Sequence, residues 1–159
     1  MFVSRKRIVI IPVSLSLALL VASCDDSKVS QCQRLVLAVN EGSALVDKNK
    51  GSQVSTSLQL AKDLEKVTKD IKELSLKDPQ LQEFQSAFVK YFDSLSQNIS
   101  KAGRALGSAK TAEASPTGRL AIQKARGEID SSLTAATKSA KESDALIKNL
   151  NEYCSQAEK

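Results

Sequence analysis

The sequence contains no histidine and no tryptophan. Missing histidine excludes His-ligated haem, Glu-x-x-His di-iron bundles, His-containing zinc sites, Ser-His-Asp triads and Cys-His pairs. Aromatic residues make up only 4% of the chain. Glycine (6) and proline (3) are equally scarce, so few turns and long uninterrupted elements are expected. There is no phosphate-cradling glycine loop, no Cys-x-x-Cys pair and no Asp-rich calcium loop. Carboxylates stand among lysines, with no pair set apart for acid–base work. A non-enzymatic protein with no metal and no cofactor is therefore expected.

What remains is built largely from alanine, leucine, lysine, serine, glutamine and glutamate, mostly helix formers. No stretch alternates apolar and polar residues as a strand does. Helical periodicity predicts four segments: 28–48, 54–76, 79–109 and 116–157. In the first, Val29, Cys32, Val36, Val39 and Val46 recur at helical steps, with Leu35 and Leu45 widening the stripe. Asn49, Lys50 and Gly51 read as its stop. The second has the strictest seam, Leu60, Leu64, Val67, Ile71 and Leu74, backed by a charged, solvated face. Asp78-Pro79 and Ser115-Pro116 are start signals: an acceptor side chain at the cap, then a proline whose missing N–H costs nothing there.

The third segment turns Leu81, Phe84, Phe88, Leu95, Ile99, Ala102 and Leu106 inward, with Phe84, Phe88 and Phe92 as an aromatic stripe. Such a stripe is the middle of a core far more often than the wall of a pocket. The fourth carries Ile122, Ala125, Ile129, Leu133, Ala136, Ala140, Ser143, Ile147, Leu150 and Cys154 at steps of three and four. Short links favour antiparallel neighbours. The expected fold is all-α, an up-down-up-down four-helix bundle over residues 28–159.

Ahead of it stands MFVSRKR, a basic head, then the uncharged run Ile8–Ser23. Sixteen residues span about 24 Å as a helix, short of the ~30 Å hydrocarbon core. A short apolar centre behind a basic head is a secretory signal rather than a span. Val21-Ala22-Ser23-Cys24 closes it. That box resembles the lipobox of bacterial lipoprotein precursors, with valine where leucine is commoner. The resemblance covers only the first 24 residues. It implies that residues 1–23 are removed and that Cys24 becomes a lipid-bearing N-terminus, carrying diacylglycerol and usually a further acyl chain such as palmitate. Two or more chains anchor a protein stably. The competing reading is an uncleaved anchor helix with an incidental cysteine. Asp25 and Asp26 begin a short acidic tether, residues 24–27. An aspartate there also resembles the inner-membrane retention signal of enterobacterial lipoproteins. The implied location is the outer face of a bacterial membrane, periplasmic in a diderm cell.

Removing residues 1–23 takes away three of the 23 basic residues and leaves 20 against 18 acidic ones. A net charge of +2 gives no reason to expect nucleic acid. Cys32 and Cys154 then remain, both on the inward phase of their segments and at the same end of an up-down-up-down bundle. An exported protein can be oxidised, so a Cys32–Cys154 disulfide is expected. The long third and fourth segments leave a surplus at the far end, around residues 101–126, expected to project unless it folds back. There Lys101, Arg104, Lys110, Arg119, Lys124 and Arg126 face one carboxylate, Glu113. The sharper reading is a contact surface for an acidic protein or anionic envelope polymer. The plainer one is a solvated, flexible tip.

Four functional readings follow. The first is a lipid-anchored binding, scaffold or accessory protein of the envelope. The second is a carrier of a small apolar ligand or lipid, held where Phe84–Phe92 splay apart. The third is an accessory lipoprotein of a membrane energy-transducing complex, which architecture alone suggests. An enzyme is the least supported.

Overall fold

The seams read above build four helices in the computed structural model, which describes residues 27–49 and 53–157. They are α1 (Lys28–Lys48), α2 (Val54–Lys72), α3 (Pro79–Lys110) and α4 (Pro116–Ala157). The signal segment, Cys24, the tether up to Asp26 and the link 50–52 lie outside the described residues. The helices form an all-α, up-down-up-down bundle. α3 packs along both α2 and α4, and α1 closes the fourth corner against α2 and α4. α2 and α4 do not meet, so they occupy one diagonal and α1 and α3 the other.

The core is apolar and continuous from helix to helix. Leu35 and Val39 of α1, Leu64 and Ile71 of α2, Leu81, Phe88 and Phe92 of α3 and Leu150 of α4 are almost wholly withdrawn from solvent. No described residue has a positive φ angle, so the glycines do not serve left-handed turns. Gly42 serves close approach instead. A Cβ there would stand 2.5 Å from the Phe92 ring and 3.1 Å from Val67 Cγ1, so α1 rests directly on the aromatic centre. The stripe Phe84–Phe92 is thus core: Phe88 and Phe92 have no exposed surface.

One expectation about length needs correction. α2 ends at Lys72, not Leu76. A continued helix would swing Leu76 away from the seam set by Val67, Ile71 and Leu74. As an extended link, residues 74–77 alternate inward and outward instead, and Leu76 is buried at 7% exposure. The end of α2 is capped from a distance. The Gln85 side-chain amide donates to the carbonyls of Ile71 (2.7 Å) and Leu74 (2.9 Å).

The extended link also shifts α2 toward the far end. Gly103 lies beside Ser57 and Leu58, and Gly107 beside Val54. The α3–α4 hairpin is therefore flanked by α2 almost to its tip and does not project as a free pair. Only α1 falls short. It ends at Lys48, closed by Asn49, whose side-chain amide and backbone N–H both donate to the Leu45 carbonyl (2.9 and 3.2 Å).

Gly42→Ala should push α1 off Phe92 and lower stability by about 1–3 kcal/mol, the usual cost of overpacking. Urea unfolding followed by circular dichroism checks it. An unchanged midpoint would mean that α1 does not sit as close as described.

Candidate functional site: a stapled end and an open apolar groove

The two ends of the bundle differ sharply. At one end Cys32, 4% exposed, is joined to Cys154 by a disulfide, with Cα atoms 5.7 Å apart. The sulfurs tie the first turns of α1 to the last turns of α4. Around them lies a polar lock that periodicity does not announce. Gln31, buried, accepts from the backbone N–H groups of Lys77 (2.6 Å) and Asp78 (3.0 Å). Gln82 donates to the Leu76 carbonyl (2.7 Å), and Arg34 to that of Ser75 (3.0 Å). The extended link 73–78 has no helix ladder of its own, so these side chains supply its partners.

Asp78 caps α3 as the Asp-Pro signal predicts, accepting from the Leu81 N–H at 3.0 Å. It also accepts from the Tyr153 hydroxyl at 3.0 Å to each carboxylate oxygen, and Lys28 lies 3.6 Å above the Tyr153 ring. Partial burial acts to raise the Asp78 pKa. The Leu81 N–H, the Tyr153 hydroxyl and the Lys28 charge together outweigh it and hold the carboxyl below its ordinary value. Three helices therefore meet at one carboxylate beside the disulfide.

The opposite end is open. Beyond Asn49 no helix among the described residues occupies the corner held by α1, while α2, α3 and α4 continue. The result is an apolar groove of about 410 Å³. Val46 and Asn49 close its lower end. Leu60 of α2, Leu95, Ile99 and Leu106 of α3, and Ile129, Leu133 and Ala136 of α4 form the walls. Ser57, Thr137 and the Asn49 side chain are the main polar groups at its edge. Among the described residues, no three His, Cys, Asp or Glu side chains come together as a metal site.

This groove corrects the seam expected for α4. Ala125, Ser143 and Leu150 are buried as expected, Leu150 within the core cluster. Leu133 is 55% exposed and Ile122 44%, although both lie on the same apolar phase. α4 is long enough to carry two faces: one turned to α3 along its length, the other turned to α1 only where α1 exists. An apolar period shows which face is sticky, but not where the partner helix stops.

The six tip cations do not form one cluster. Lys101, Arg104 and Lys124 line a shallow cleft between α3 and α4 together with Glu128, to which Lys124 is paired at 3.9 Å. Arg119 and Arg126 lie three and seven residues from Ile122 and Leu133 respectively, so helical phase sets them on the stripe of the open groove. Lys110, at the end of α3, stands four residues beyond Leu106 on the same phase. Lys110, Arg119 and Arg126 are not paired with any carboxylate among the described residues.

No family model, no curated protein and no solved structure matches this chain.

Two outcomes follow from this geometry. Leu133→Ser should change stability by no more than about 0.5 kcal/mol, the range for surface positions. Phe92→Ala, in the core, should cost about 3–5 kcal/mol. A large loss at Leu133 in thermal or urea unfolding would mean that the groove is filled. For Asp78, a carboxyl whose folded pKa lies below its unfolded value stabilises the fold above the unfolded pKa. That contribution is lost as pH falls through the lower, folded pKa. Asp78→Asn keeps an N-cap but removes the charge. The variant should be less stable than the native chain at neutral pH, and the gap should close as pH falls below about 4. A pH-independent gap in urea midpoints would count against the charge.

Proposed function

We propose that the chain is a lipid-anchored, non-enzymatic binding or scaffold protein of the bacterial envelope, held by Cys24 and presenting the far end of its bundle to a partner. The observation that carries this reading is the polarity of the molecule. α1 begins at Lys28, at the disulfide end, and the apolar groove lies at the other end. A lipid on Cys24, eight residues before Cys32, would put the stapled end against the membrane and the groove away from it.

Three features support it. A cysteine pair joined across 122 residues suits an oxidising, exported setting. The box Val21-Ala22-Ser23-Cys24 and the basic head before it resemble a lipoprotein signal. No helix among the described residues is long and apolar enough to cross a membrane. Asp25 favours retention in the inner membrane of a diderm cell.

The carrier reading changes its address. Phe84–Phe92 are packed in the core, so an apolar guest belongs in the groove of Ile99, Leu106, Ile129 and Leu133.

Feeding cells an alkyne-tagged palmitate and fractionating them tests the anchor. The native chain should carry the label and sediment with membranes. Cys24→Ala should lose the label and keep an uncleaved signal, visible as a mass increase of residues 1–23. A labelled or normally processed Cys24→Ala chain would overturn the anchor.

A further inference from the structure

The face of α4 that receives α1 does not end where α1 ends. In the lower half of the bundle, Leu146, Ile147 and Cys154 of α4 pack in the core cluster with Cys32, Leu35 and Val39 of α1. The same helical phase continues through Ala140, Ala136, Leu133, Ile129 and Ile122, steps of three, four and seven residues. Above Asn49 nothing among the described residues lies on it, and Leu133 and Ile122 are left about half exposed. A large aliphatic side chain half in water is unremarkable alone. Here Leu133 shares a groove with Leu106 and Ile99, Ile122 continues its phase three turns further along α4, and the groove continues an interface already made by a helix.

We propose that this groove receives an amphipathic helix of a protein partner, laid end to end with α1 in the corner that no described residue fills, and that the helix carries acidic side chains. The dimension fits. From Ile99, level with the end of α1, to Lys110 at the end of α3 is about 17 Å, three helical turns. Such a segment presents anchors at i, i+3 or i+4, and i+7, the way amphipathic helices enter apolar grooves. The walls provide both leucine-sized knobs and the small residues Ala102, Ala136 and Ala140, which let a helix come close.

Charge selects among occupants. Lys110, Arg119 and Arg126 fall on the groove's phase at its outer end and have no carboxylate partner among the described residues. A second copy of this chain, docking by the same face, would offer those cations no carboxylate from the groove's lining. A partner with glutamates or aspartates beside its apolar stripe would neutralise them, which favours the correct partner and its register. A bare acyl chain would leave the cations unused and most of the open side of the groove uncovered.

This inference rests on the proposed role as a binding protein, and one experiment separates the two. Benzoylphenylalanine replaces Leu133 in the full-length chain, in cells that make the protein, and the cells are irradiated. The same probe at Leu37, 69% exposed on the outer face of α1, is the control. The expected result is an adduct from position 133 and none from 37. Sequencing by mass spectrometry should place the adduct in an acidic, amphipathic segment of another protein. Reversing both arginines, Arg119→Glu with Arg126→Glu, should reduce the adduct about tenfold or more. The disulfide-dependent gel mobility of that variant verifies its fold. Several outcomes would overturn the proposal: no adduct at 133, an adduct with a second copy or a lipid, a basic or neutral partner segment, or an adduct insensitive to charge reversal. Palmitate label on Cys24 is read from the same cells. A labelled chain without adduct removes the helix and leaves the anchor. An adduct on an unlabelled chain does the reverse.

Discussion

The disulfide end holds the bundle together, and the rest of the architecture follows from what is anchored there. Cys32 and Cys154 join α1 to α4, so the first and last helices are flush at one end. From that common level, α1 runs 21 residues and α4 runs 42. A bundle that is level at one end and has one helix half as long as its neighbour leaves a corner at the other that no described helix fills. In the chain-entropy view, a cross-link over a loop of this size contributes about 4–5 kcal/mol by restricting the unfolded chain. The polar lock of Gln31, Asp78 and Tyr153 adds direction: it fixes the extended link against α1 and α4 so that the core is closed below and free above.

Most of the fold was legible in the sequence because helical signals are local. Proline with an acceptor before it marked the starts of α3 and α4, and strict three-four spacing marked α2. The cysteine pairing was legible as well, since phase and topology put both residues inward at one end. The end of α2 was not. Leu74 and Leu76 are two apolar residues that fit a helical turn or an extended link, and the choice is made by distant glutamines, Gln82 and Gln85, which hold the carbonyls of a link. Glutamine carries no periodic signal, so a side chain that caps another helix reads as an ordinary surface residue.

The groove was hidden for a different reason. The apolar run on α4 predicts a buried seam at Ile122 and Leu133, and burial depends on the length of another helix. Segment lengths, 21 residues for the first and 42 for the fourth, announced a surplus at the far end, but not which face of the fourth helix it would leave uncovered. The basic tip shows the same limit. Six cations within 26 residues suggest one patch, whereas the hairpin divides them between a cleft with Glu128 and the stripe of the groove. On the proposed reading, the anchor, the staple and the groove belong to a molecule held at one end and binding at the other.

Residue-resolved hydrogen exchange along α4 tests this account most directly. Amides exchange through local openings whose cost follows the packing around them. With α1 present only beside the lower half, protection should be high from Ser143 to Leu150 and fall steeply from Ile129 toward Pro116. Protection as high at Ile122–Leu133 as at the stapled end would mean that the upper face of α4 is already covered, and the open corner would not exist.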